Sequence, residues 1–299
     1  MRISSNTVSD GIVRQIQQLS SQQAKLQTQV ATGLRISQPE DDPAAVGRVL
    51  NLQSERRQLE QYGNNANRAL QIAQASFSGL DNLKKISDRA SELATLGTST
   101  LGAESMQAYA TEVDQLIEQT LQVANTRFNG DYVYGGTAVD APPFDATRDP
   151  STNEITSVGY VGNSAQASIP LSEATSIAPG TTGATNTNLR DFLNTLVALR
   201  DALKSGDSNN VAAAQPALAQ GEDALIGAIA DNGGVQTRIE AALSQQTDRA
   251  TSLDSLVSSE TDADLPTTIV KLNQTQTAYQ AALQSAANIM RLSLLDYIK

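Results

Sequence analysis

The residues best placed for chemistry are the acids of "TGLRISQPEDDPAAVG", residues 32–47, where Asp41 and Asp42 stand together before Pro43. Two adjacent carboxylates can begin a divalent-cation site or divide an acid role and a base role between them. A cation site needs further oxygen ligands, and none lies near in sequence. The 299 residues include no His, no Cys and no Trp. That removes the commonest general base, the best thiol nucleophile and the usual soft metal ligands together. The expectation is a protein that is not an enzyme and holds neither cofactor nor metal.

The same acids have a structural reading. Asp42 suits an N-cap with Pro43 at the first helical position, and Glu40 and Asp41 add negative charge at the positive end of the helix dipole. In "DADLPTT", Asp262 and Asp264 with Pro266 make a matching restart near the other terminus. Each break leaves a terminal helix of about 35 to 40 residues, roughly 50 Å long at 1.5 Å per residue.

Both terminal helices carry a 3.5-residue apolar period, the pattern of a coiled-coil seam. In the first the stripe is Ile12, Ile16, Leu19, Gln23, Leu26 and Val30. In the last it is Leu265, Ile269, Leu272, Gln276, Tyr279, Leu283, Ala286, Met290 and Leu294. Stripes this long with hardly an aromatic cannot be buried by one helix alone, so they are the expected subunit-packing residues. Similar runs fill the interior: Ala66 to Leu93, Tyr109 to Val123, Leu189 to Leu203 and Ile239 to Val257. A helix from Pro43 to about Leu96 would be roughly 80 Å long. The fold class expected is therefore mainly α: a long antiparallel helical rod or coiled coil built from both chain termini.

Between Phe128 and Leu189 the helical period stops. Gly, Pro, Thr and Asn crowd this stretch, with β-prone runs at Tyr132–Tyr134, Ile155–Val161 and Ala167–Leu171 and turn signals at Gly135–Gly136 and Gly162–Asn163. A small β-rich outer domain over 131–188 is expected, anchored by Tyr132, Tyr134, Phe144 and Tyr160. The domain plan is then 1–37 with 266–299, 38–130 with 189–265, and 131–188.

Charge narrows the partners. Residues 1–37 carry +3 and residues 266–299 carry +2, which leaves −16 for the rest of a chain whose net charge is −11. So acidic a middle repels phosphate backbones and anionic lipid, and neither nucleic acid nor membrane is an expected partner. No apolar run approaches the roughly 20 residues of a membrane span, and "MRISSNTVSDG" lacks the apolar region of a cleavable signal.

The segment "QVATGLRISQPEDDPAAVGRVL" and the stretch from "RIEAALSQQ" to the last residue resemble the paired terminal regions of bacterial flagellins and their relatives. Within that family "MRISS", "FNGDYVYGGTAVDAPPF" at 128–144 and "LLDYIK" are more similar to the hook-filament junction members, the third hook-associated proteins, than to filament flagellins. The resemblance implies a structural subunit that leaves the cell unfolded through the flagellar type III apparatus. It would form a ring of copies of itself in the extracellular flagellum, between the first hook-associated protein and flagellin. The terminal helices would line the inner tube, the next helices the outer tube, and the β domain the surface. The resemblance also implies a flagellar export chaperone that captures the carboxy-terminal helix, whose face would be Ile269, Leu272, Tyr279, Leu283 and Met290. A minor flagellin that builds filament is the alternative.

Overall fold

The computed structural model describes residues 2–99 and 102–297, with side chains over 10–99 and 102–288. The chain is mainly α. Among the described residues six helices, α1 (Arg2–Thr32), α2 (Pro43–Thr98), α3 (Ala103–Ala124), α4 (Gly183–Lys204), α5 (Ser208–Thr261) and α6 (Leu265–Tyr297), account for most of the chain. Six short strands lie between α3 and α4: β1 (Arg127–Phe128), β2 (Asp131–Tyr132), β3 (Phe144–Arg148), β4 (Ile155–Tyr160), β5 (Ile169–Pro170) and β6 (Ser176–Ile177). They pair as three separate antiparallel hairpins.

Two compact units result, residues 1–58 with 249–299 and residues 59–248. The boundary falls inside the continuous helices α2 and α5, whereas the sequence plan set it at the helix breaks near Pro43 and Pro266. The hairpins belong to the larger unit.

In the larger unit, α2, α3, α4 and α5 enclose an apolar cluster that includes Leu80, Leu93, Ile117, Phe192, Leu196 and Leu218. The run expected on α2 shifts by one position in places: Ala69 and Ser76 are buried, while Phe77 is exposed. A close approach explains the shift, because Tyr134 lies over Gly79 and donates its hydroxyl to the Ser76 carbonyl at 3.0 Å. The β1–β2 hairpin turns on Asn129 (φ 53°) and Gly130 (φ 97°), the positive angles of a two-residue type I′ connection.

The β3–β4 hairpin docks on helices through side chains that mimic a neighbouring strand. The Asn194 amide on α4 accepts from the Val158 amide and donates to its carbonyl, both at 2.9 Å. At the end of α3, Asn125 does the same for Phe144, at 3.0 and 2.9 Å. Beneath the hairpin Arg200 is buried, and its guanidinium donates to the Ile155 carbonyl at 2.8 Å and to Asp114 at 3.0 Å. Helix α4 starts six residues before the expected Leu189. "GATNTN" is poor in helix formers, but Thr182 caps it by accepting the Thr185 amide at 3.1 Å.

A second, smaller cluster joins Ala66, Ala69 and Ala73 of α2, Ile239 of α5, and Leu171 and Ile177 of the segment that crosses between those helices. Asn65 donates to the Pro170 carbonyl at 3.1 Å and Gln246 to the Leu171 carbonyl at 2.7 Å, fastening the segment on both sides.

Candidate assembly surface

The smaller unit carries the residues singled out for packing and capping. Helix α1 ends at Gly33, whose φ of 73° suits glycine and whose amide reaches the Gln29 carbonyl at 2.9 Å. The chain then pairs once with the far end: Leu34 faces Asp262 in an antiparallel bridge, with Arg35 N to Thr261 O at 2.7 Å and Ala263 N to Gly33 O at 2.8 Å. This bridge sets the exit of α1 beside the entry of α6, so the two helices pack along each other antiparallel.

The acids of the break hold this corner. Asp41 accepts the amides of Ser37 and Gln38, each at 3.0 Å, and pairs with Lys25 at 2.7 Å. Lys25, then the two amides, hold its carboxyl far below the usual carboxylate range. Asp42 precedes α2, and its Oδ1 accepts the Ala45 amide at 3.0 Å with Pro43 in the first helical position. That amide first, then Arg35, lowers its pKa. Arg35 also donates to the Glu260 carbonyl at 2.7 Å, and Arg48 forks onto the Glu260 carboxylate at 2.9 and 2.8 Å.

At the second break the roles divide. Asp264 precedes α6; its carbonyl takes the Thr268 amide at 2.9 Å and its carboxylate takes the Thr267 hydroxyl. Pro266 is the second residue of α6, not the first. Asp262 closes α5 instead of opening α6: its carboxylate accepts from Ser258, and its backbone makes the bridge to Leu34. Lys25, Arg35, Arg48 and Glu260 were not singled out from the sequence. Arg35 and Arg48 reach Glu260 more than 200 residues away, and only the Lys25 and Asp41 pair and the Arg35 and Asp42 pair are near enough along the chain to have been visible.

The stripe of α1 faces α6 as a set: Ile12, Ile16, Leu19, Gln23 and Val30 are half-buried and Leu26 is buried. Helix α6 answers with a partly different row. Thr268, Leu272, Thr275, Tyr279, Ala282 and Ala286, spaced alternately four and three, are covered, and Gln276 beside Thr275 is covered too. Thr268 and Thr275 satisfy their hydroxyls on the carbonyls four residues back, at 2.8 Å each, which leaves each methyl free for packing. Leu272, Gln276, Tyr279 and Ala286 of the expected stripe are among these covered positions. Leu265, Ile269 and Leu283 are not; at 100° per residue they sit about 60–100° round the helix, and they are exposed. The side chains of Met290 and Leu294 lie outside the described residues.

The surface that results is apolar and open. Eight of the twelve exposed large hydrophobic residues among those described, including Val13, Leu50, Leu256, Ile269, Val270 and Leu283, belong to the smaller unit. Among the described residues its buried apolar side chains are only Leu26, Ala45, Val49 and Leu253. Among the described residues no three acidic side chains gather as a metal cluster, and no helix is long and apolar enough to cross a membrane.

Residues 3–138 match the bacterial flagellin N-terminal helical region. Flagellar hook-associated protein 3 of Escherichia coli aligns with the whole chain over its own whole length at 26% identity. The chain is similar to flagellar hook-associated protein 3 along its entire length. The Salmonella typhimurium protein of that name is 27% identical over 186 residues; the match covers 62% of this chain and spans 56% of the Salmonella protein's length. The fold is shared with Bacillus cereus FlgL, whose solved structure superposes with a TM-score of 0.60 at 19% identity, over 70% of this chain and 99% of that one. Helix α2, and α1 apart from its first residue, fall inside the matched amino-terminal region, and α6 pairs with α1 from the opposite end of the chain.

Proposed function

We propose that this protein is a structural subunit of the bacterial flagellum that forms the junction between hook and filament, and that it is not an enzyme. The observation that carries the reading is the open apolar row of Leu265, Ile269 and Leu283 on α6, beside the row that α1 covers. A helix with one row paired inside the subunit and the next row bare is built to be completed by further copies and by neighbouring flagellar proteins. Covering it gains about 25 cal/mol for each Å² of apolar area removed from water. The partners are copies of the same chain, the first hook-associated protein on one side and flagellin on the other, with an export chaperone holding α6 before assembly. The site of action is outside the cell, at the junction. The capping acids Asp41, Asp42 and Asp264 fix the angles at which α1 and α6 leave the neighbouring helices, and a ring of copies repeats any angular error.

Deleting the gene tests the reading. The expected strain makes hooks, sheds flagellin into the medium and regains filaments with the restored gene. Purified subunits added to hooks that carry the first hook-associated protein should stop after one layer. Growth into long filaments would favour a minor flagellin, and filaments that stay attached without the gene would overturn the junction role.

A further inference from the structure

Helices α2 and α5 of the larger unit run side by side in a register given by two contacts. Gly63 lies against Gln246, and Lys84 pairs with Glu222 at 3.2 Å. The helices are therefore antiparallel, and Ser76 stands level with Asp231 and Asn232. At this level the apolar packing is interrupted. The larger cluster reaches Leu80 on α2 and Ala228 on α5, with Ile229 against its edge, and the smaller one reaches Ala73 and Ile239, with Val235 against its edge.

The Tyr134 side chain reaches Ser76 at this level, and around it lie buried polar groups and, against α5, open space. Ser76 is fully buried and its hydroxyl has no hydrogen-bond partner among the described residues. Asn232 is buried and, among the described residues, its side chain accepts only from Gln236 of its own helix, at 2.7 Å. A cavity of about 300 Å³ opens between Asp231, Asn232, Val235 and Arg238 of α5 and the segment that carries Ser176, Gly180 and Thr182.

Two glycines follow Asn232. Elsewhere in α5, Gly221 is explained by packing, since a Cβ there would lie 2.8 Å from Phe192. Gly233 and Gly234 have no such reason. A Cβ at either position meets nothing within 4 Å, and neither has a positive φ. Each nevertheless weakens the helix relative to alanine. Weak backbone, a broken core and an adjoining cavity coincide at one level of the helix pair.

We infer that the α2 and α5 pair bends at this polar seam, with Gly233–Gly234 as the yielding segment of α5 and the cavity as the space into which it moves. Resting on the junction reading, the bend lets one subunit fit a hook-associated neighbour on one side and flagellin on the other, whose lattices need not share a spacing.

Hydrogen exchange of the purified full-length chain, resolved by mass spectrometry, reads the bend without any appeal to the junction. Amides of 230–237 should exchange faster than those of 218–226 and 239–245. Gly233→Ala with Gly234→Ala should slow the seam roughly 15- to 30-fold, the effect of removing two helix-interior glycines. Gly227→Ala, also in open space, should leave 230–237 unchanged. Uniform protection along 218–245, or a fast seam indifferent to the two alanines, would overturn the proposal. In cells the double variant should be exported yet support fewer attached filaments; a full complement of filaments would show that assembly does not use the bend. Failure of the junction role itself would appear separately, as a deletion strain that keeps its filaments.

Discussion

Replacing Ile269 and Leu283 together by aspartate separates assembly from folding. The two side chains are 43% and 44% exposed. Burying a whole isoleucine or leucine contributes about 1.5–3 kcal/mol, so covering what remains open contributes about 1 kcal/mol each. Aspartate removes that gain and puts two carboxylates where neighbouring copies would exclude water, a cost of several kcal/mol if they stay charged. The combined loss is at least about 4 kcal/mol, near a thousandfold in association. Neither residue lies in the row that faces α1, so melting of the isolated subunit should move by no more than about 0.5 kcal/mol. The matched control is Leu272→Asp, which puts the same charge on the α1-facing row of the same helix and should expose α1 to protease. The assay is addition of purified subunits to hooks in vitro, so export plays no part, with circular dichroism melting alongside. A double variant that adds to hooks as well as wild type would refute the reasoning, and so would a Leu272→Asp subunit whose α1 stays protected.

Three further outcomes follow from the packing. Gly79→Ala would bring a Cβ to 2.1 Å from the Tyr134 hydroxyl and should destabilise the subunit by about 1–3 kcal/mol through overpacking; adding Tyr134→Phe should recover part of the loss in thermal melting. Arg200→Met keeps the bulk but leaves the Ile155 carbonyl buried and unpaired; a cost of about 1–3 kcal/mol is expected in urea titration. Asp41 and Asp42 have folded pKa values below the ordinary carboxylate value. Their contribution is therefore full above that value and is lost as pH falls through the folded values. Asp41→Asn with Asp42→Asn should make the 33–42 segment more protease-sensitive than wild type at pH 7. The difference should shrink once the pH passes below about 4, as read with an acid-tolerant protease.

The mainly α class, the small β portion and the stripe of α1 could be read directly from residue order, because helical periodicity and turn chemistry are local properties of the backbone. Asp42 before Pro43 is local in the same sense: a cap and its amide lie three residues apart. No local rule could say which row of α6 meets α1. Leucine and isoleucine mark the apolar row, yet the covered row is built partly from threonine and alanine. It was chosen by how closely two helices approach, and by threonine hydroxyls satisfied within their own helix. The same holds on α2, where the hydroxyl of Tyr134, 58 residues from Ser76, decides that Ser76 is buried and Phe77 is not. The corner of Arg35, Arg48 and Glu260 joins residues more than 200 positions apart, and a sequence holds no record of such a distance until the chain has closed on itself. Periodicity determined what this protein could bury; tertiary packing decided which of those surfaces it leaves open.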